Sequence, residues 1–390
     1  MLRPTAFEIE VPRPVLDDLS QRLALTRIAD DLPADADDWS YGTASGFLAD
    51  LVGYWRDGFD WRAQERRLNE LDQVVADVDG RRLHAVHLPG AGDDPLPIVL
   101  AHGWPSGYLE MLRLAERLAD PARFGGDPAD AFHVVVPSFP GFGYSEPLPP
   151  GNGYAAAADV IRRFVVEGLG YDRLALHSTG AGTFVNGWIA LEHPELVVGY
   201  HTHDPNLMPP PSFEPPAPPP SDAESAYRSR SARWGAVEGA YAALHRTKPQ
   251  SLGHALTDSP AGLASWLVEK FRTWSDCDGD VTTRYSYDDL LTTVTWYWST
   301  RSIASSIRMY YERVHHDPPV SPGRRLGVPT GVAMARDRPN FPPKQVPRET
   351  VERSHDVHHW VDLPSGGHFA SWEEPDLVAT SIRDFFRELR

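Results

Sequence analysis

A chain of 390 residues, 41% hydrophobic and 23% charged, is long enough for one large core or for a big domain carrying an insertion. Its formal charge of −17 disfavours nucleic acid and anionic membrane surfaces as partners, because the mean field repels both. The single cysteine, Cys277, excludes an intrachain disulfide and a multi-cysteine metal site.

The first residues, MLRPTAFEIEVPR, lack the apolar run of a signal peptide. No segment reaches the roughly 18 consecutive apolar residues of a membrane helix. A soluble, cytoplasmic protein is the expectation. LDDLSQRLALTRI places Leu16, Leu19, Leu23 and Leu25 at helical spacing, and FLADLVGYWRDGFDWRAQERRLNEL continues in that style. VVADVDGRRLHAVHLPG alternates like a hairpin turning at Asp79 and Gly80.

PLPIVLAHGWP and FHVVVPSFPGFGYS are short apolar runs closed by Gly/Pro turns, the pattern of buried parallel strands. YAAAADVIRRFVVEGLGY predicts a helix, RLALHS a strand, GTFVNGWIALEHP a helix and LVVGYHTH a strand. PNLMPPPSFEPPAPPPSD is too proline-rich for a central strand or helix and reads as a linker. Helical segments rich in aromatic residues run from there to about residue 318. Strand patterns return in LGVPTGVAMA and VHHWVDLPSG, and DLVATSIRDFFREL closes the chain as a helix.

Strands alternating with helices predict an α/β fold with a mostly parallel sheet flanked by helices. The organisation is an N-terminal arm (1–75), a core in two pieces (76–205 and 323–390), and a Pro-rich linker with a helical cap (206–322). No internal repeat is visible.

One stretch, LALHSTGAGTFVNGW (174–188), reads as a strand turning sharply into a helix. Hydrolases of one large fold keep their nucleophile on such an elbow. Small residues flank the turn, and its apex is Gly180, which has no atom to attack with. Moving the apex to Ser178 or Thr179 would put Leu176 or His177 where a small residue must sit. The GAG at 180–182 lacks the GxGxxG spacing of a dinucleotide loop. The pairs His315-His316 and His358-His359 read as surface residues. No metal, flavin or nicotinamide cofactor is expected.

Many stretches, in order, resemble the microsomal-type epoxide hydrolase family, α/β-hydrolase proteins with an N-terminal arm. They include FDWRAQERRLNEL, AHGWPSGYLEM, VVPSFPGFGYS, RTKPQSLGHALTDSPAGLASWLVEKFRTWSD, SIRMYYE and GGHFASWEEPDL. The resemblance implies an α/β-hydrolase fold with a helical cap insertion, here with no membrane anchor before the arm. It also implies an Asp nucleophile that forms an ester with the epoxide. A His, oriented by an acid, activates water against that ester, and two cap tyrosines hold the epoxide oxygen.

Carried onto this chain, the histidine is His368 of GGHF and the tyrosines are Tyr241 and Tyr310. Where the family reads Gly-Gly-Asp-Trp-Gly, this chain reads Ser178-Thr179-Gly180-Ala181-Gly182, so the nucleophile is missing. The acid is displaced too: Arg338 holds its place, leaving Asp337, Asp204 and Glu312 as candidates. His102 and Trp104 of HGWP, with Thr179, Gly180 and Ala181, are expected to line the substrate pocket.

Three readings follow. In the foremost, His368 deprotonates a bulky aromatic, polyketide-type secondary metabolite, and O2 is the co-substrate of a cofactor-independent oxygenation. In the second, epoxide chemistry survives as direct attack by water or by a substrate hydroxyl. In the third, the protein binds a small molecule without catalysis. The partner is in each case a hydrophobic or aromatic small molecule. The arm either clasps its own core or bridges a homodimer.

Overall fold

A computed structural model gives the fold and describes residues 2–29, 32–33, 38–205, 219–321, 323–336 and 345–390. Nine strands form one sheet: β1 (Thr5–Ala6), β2 (Gln73–Val78), β3 (Arg81–Leu88), β4 (Leu96–Ala101), β5 (Phe132–Pro137), β6 (Leu174–Ser178), β7 (Val197–Thr202), β8 (Leu326–Met334) and β9 (His355–Asp362). Their order is β1-β2-β3-β5-β4-β6-β7-β8-β9. The pairs from β1 to β5 by way of β3 are antiparallel, and β5-β4-β6-β7-β8-β9 run parallel. This is the α/β-hydrolase arrangement expected from the alternating elements.

The hairpin between β2 and β3 turns at Asp79 and Gly80, both at positive φ (55° and 76°), as a tight two-residue turn requires. β4, β5 and β6 sit in mid-sheet with almost every residue buried, which explains why they read as unbroken apolar runs rather than alternating ones. β9 lies at the edge. It turns His358 to solvent but sets His359 half-buried, with Nε2 3.0 Å from Oγ of Ser381.

The arm packs on its own chain. Phe7 meets His84 edge-on, and Arg22 pairs with Asp258 at 2.7 Å. Most of the stretch expected to be a Pro-rich linker (206–218) lies outside the described residues. The segment expected to be a cap is helical, with helices Asp222–Glu238, Ala240–Thr247, Pro249–Asp258, Pro260–Trp274, Tyr287–Thr300 and Ile303–His316. Among the described residues, no helix is long and apolar enough to cross a membrane.

The helix Gly182–Glu192 leaves β6 through the elbow and is buried over nearly its whole length. It lies so close to β4 that a Cβ on Gly182 would stand 2.1 Å from the Ala101 carbonyl oxygen. Only glycine permits that approach. The parallel strands therefore deliver their carboxyl ends, and the loops after β4, β6, β7 and β9, to one edge of the sheet. Open α/β sheets bind ligands at that edge.

Candidate active site

The loop after β6 places Gly180 at the apex of the elbow with φ 50°, a left-handed conformation that side chains rarely adopt. Thr183 closes the turn by donating from Oγ1 to the Gly180 carbonyl at 2.8 Å. The Gly180 amide donates to Oδ2 of Asp204 at 2.7 Å. Asp204 lies two residues beyond β7. Its amide donates to Oγ1 of Thr202, whose hydroxyl in turn donates to the Ser178 carbonyl. The pairing of β6 with β7 thus sets the carboxylate against the elbow.

His368 arrives on the loop after β9. Its amide donates to the Trp274 carbonyl at 2.8 Å, the Gly366 amide donates to Oδ2 of Asp276, and the carboxylate of Glu373 accepts the amides of Asp276 and Phe369. The loop is therefore clamped to the end of the cap helix Pro260–Trp274. In this clamp desolvation pushes the Glu373 carboxyl up to about 7. The imidazole stands between two features: Nδ1 lies 3.5 Å from Oδ2 of Asp204, and a Cβ on Gly180 would stand 3.3 Å from Nε2.

Tyr241 and Tyr310 come from two cap helices and face each other, with ring centroids 6.2 Å apart. Trp104 stacks parallel to Tyr241 at 5.8 Å, and Trp274 contacts both Tyr241 (5.0 Å) and His368 (5.2 Å). Burial pushes both phenols well above their ordinary range, so each is a neutral hydroxyl at any physiological pH. Behind them His245 touches Trp104, Tyr241 and Tyr310 edge-on. Its Nε2 accepts from Nε1 of Trp266, and desolvation lowers its pKa to about 3, so it is neutral.

These groups surround a cavity of about 390 Å³. His368, Gly180, Ala181, Trp104, Tyr241 and Tyr310 all line it, so the structure brings together six of the residues singled out in the sequence. Asp204 lines it as well. Two expected lining residues face elsewhere. His102 is fully buried, stacked on Phe139 at 4.0 Å, with Nδ1 bonded to the Gly103 carbonyl and Nε2 accepting the Phe139 amide; it shapes the HGWP loop from behind. Thr179 is turned inward, where Oγ1 meets Oδ2 of Asp204 at 3.2 Å and the His368 carbonyl at 3.3 Å.

Among the described candidate acids, Asp204 lies beside His368. Glu312 is spent in the cap, accepting from the Gly151 amide and 2.8 Å from Nδ1 of His316. Asp337 lies outside the described residues. Arg246 and Arg313 were not singled out in the sequence, yet both line the cavity. Arg313 stands three residues after Tyr310, on the same helix face, so helical periodicity carried a signal for it; Arg246, five residues after Tyr241, falls off that face and gave none.

Two family models match the chain: "Epoxide hydrolase N terminus" over residues 4–111 and "alpha/beta hydrolase fold" over residues 97–375. Epoxide hydrolase 1 of Sus scrofa is 30% identical, covering 98% of this chain and 88% of that protein. Juvenile hormone epoxide hydrolase 1 of Ctenocephalides felis is also 30% identical, covering 98% of this chain and 84% of its own. The structure of Aspergillus niger epoxide hydrolase superposes with a TM-score of 0.83 at 27% identity, covering 99% of this chain and 97% of that one. These relatives overturn oxygenation as the foremost reading. An emptied elbow and a retained histidine suit an oxygenase and a hydrolase equally, and every one of these relatives opens epoxides by name.

Proposed function

Because the chain belongs to the epoxide hydrolase family of the α/β-hydrolase fold, we propose that it opens epoxides by direct attack of water, with no ester on the elbow. The observation that carries this reading is the environment of Gly180. No side chain stands at the apex, its amide is bonded to Asp204, and Nε2 of His368 faces the space a nucleophile's Cβ would fill.

Each group then has one task. Asp204 holds the proton of His368 on Nδ1, leaving Nε2 as the base. Nε2 takes a proton from water as the water oxygen bonds to one epoxide carbon and the carbon–oxygen bond of the ring breaks. Tyr241 and Tyr310, fixed as neutral donors, receive the charge on the departing oxygen, and one of them protonates it. The proton on His368 then returns to that phenolate through solvent, and a diol leaves. A positioned base of this kind contributes about 10²–10⁴-fold, and the donor pair stabilises the developing alkoxide further.

Styrene oxide in H2¹⁸O tests the mechanism. The expected result is one ¹⁸O in the diol and none in the protein after many turnovers, read by peptide mass spectrometry over residues 174–205. Label in the Asp204 carboxylate would identify an enzyme ester and overturn direct attack. Absence of diol across simple aryl and alkyl epoxides would overturn epoxide opening itself.

A further inference from the structure

The cavity has aromatic walls and two cationic residues. Arg313 lies on the helix Ile303–His316, with its guanidinium 3.8 Å over the Phe184 ring. Arg246, near the end of the helix Ala240–Thr247, is exposed. The charges are close enough to oppose one another. Burial and the field of Arg246 act together to lower the pKa of Arg313.

Neither guanidinium has a carboxylate within ion-pair distance among the described residues, whereas Arg117, Arg353 and Arg387 are each paired. Asp317, whose field reaches Arg313, is occupied at Oδ1 by the Ala155 amide at 3.0 Å. Asp204, the carboxylate lining the cavity, is occupied by Gly180 and Thr179. Lys270, beside Tyr241, is balanced by its ion pair with Glu269.

On a chain of net charge −17, this leaves two guanidiniums without an ion-pair partner among the described residues, against one lining carboxylate, Asp204, in an otherwise aromatic pocket. A half-buried cation without a partner costs free energy, and a second one beside it adds to that cost. Planar guanidiniums match carboxylate and phosphate oxygens in a fork, and a ligand anion would relieve both costs together.

We infer that the cavity binds a hydrophobic molecule bearing one anionic group, a carboxylate or a phosphate monoester, held by Arg246 and Arg313. Identifying its reactive end as an epoxide at Tyr241, Tyr310 and His368 rests on the function proposed above; the anion subsite does not. Tyr310 and Arg313 lie three residues apart on one helix, about 4.5 Å along its axis, so phenol and guanidinium come from the same stretch of the cavity wall.

Unreactive probes isolate the subsite, and the tryptophans of the cavity wall report binding by fluorescence. 4-Ethylbenzoate, 4-ethylphenyl phosphate and the neutral 4-ethylbenzamide are compared at low salt. One of the anions is expected to bind at least tenfold more tightly than the amide, and which of them does identifies the acceptor. That preference is expected to fall toward one in Arg313→Met and severalfold in Arg246→Gln, whose exposed side chain can change without disturbing the fold. Equal binding of anions and amide, or a preference untouched in Arg246→Gln and in folded Arg313→Met, would overturn the subsite. A parallel assay with 4-(oxiran-2-yl)benzoate and its methyl ester separates the two ideas. Anion-selective binding with neither epoxide opened sinks the epoxide reading alone, and both opened without preference sinks the subsite alone.

Discussion

The Gly180 amide donates to Oδ2 of Asp204 at 2.7 Å, and the same oxygen lies 3.5 Å from Nδ1 of His368. One carboxylate therefore ties the empty elbow to the histidine. Asp204→Asn keeps an acceptor for the Gly180 amide but removes the charge that supports a protonated imidazole. The expected result is a fall in kcat of about 10²–10⁴-fold with little change in melting temperature. Steady-state kinetics with styrene oxide and a thermal melt check it together. Full activity would show that another acid serves His368.

Restoring a carboxylate to the elbow should change the mechanism. Gly180→Asp places its Cβ 3.3 Å from Nε2 of His368 and 3.2 Å from the Gly103 Cα, in a conformation costing a non-glycine residue about 1–2 kcal/mol. In a His368→Gln background the ester should then accumulate, seen as a mass gain of one substrate on the intact protein. His368→Gln alone should show no adduct. An adduct in both would mean that a nucleophile already exists elsewhere in the cavity.

Gly182→Ala probes the packing beneath the site. Its methyl would overlap the Ala101 carbonyl oxygen at 2.1 Å, and that obstacle is backbone of the mid-sheet strand β4 rather than a side chain that could swing aside. A loss of about 3 kcal/mol is expected from urea denaturation. A loss below about 1 kcal/mol would show that the helix can slide on β4.

Glu373 gives the His368 clamp a pH dependence. Its carboxyl is raised from the ordinary 4.5 to about 7, so between those values the folded protein holds a proton that the unfolded chain has released. Its contribution is therefore fully present below about pH 4.5 and is lost as pH rises through about 7. Relative to Glu373→Gln, the wild-type melting temperature should fall by roughly 5 °C from pH 4.5 to pH 8. Parallel curves would show that the carboxylate is solvated after all.

Buried histidines act in the opposite direction. Desolvation lowers His84, His177 and His245 to about 3 and His102 and His355 to about 4, below the ordinary 6.5. Below pH 6.5 the unfolded chain takes up protons that the folded one refuses, at about 1.4 kcal/mol per pH unit for each histidine. Urea midpoints should drop steeply from pH 6.5 to pH 5. A flat profile would mean that water reaches these rings.

Much of the architecture is local and was legible. The apolar runs of β4, β5 and β6, the turn at Asp79 and Gly80, and the small residues around the elbow depend on near neighbours in the chain. The glycine at the apex is likewise a fact of sequence, as is His368 within its motif. The inward faces of His102 and Thr179 were not legible, because a turn's sequence does not say which of its side chains face the cavity. Asp204 and Glu312 were both only candidates until the pairing of β6 with β7 set one against Gly180 and the cap turned the other toward Gly151. Arg246 and Arg313 sit on separate cap helices, and the packing of those two helices against each other brings both to one cavity. What the amino-acid order determined on its own was an α/β-hydrolase fold with glycine at the apex of its elbow. Tertiary structure decided which described carboxylate stands beside the histidine and brought Arg246 and Arg313 to one cavity, because both are set by contacts between distant segments of the chain.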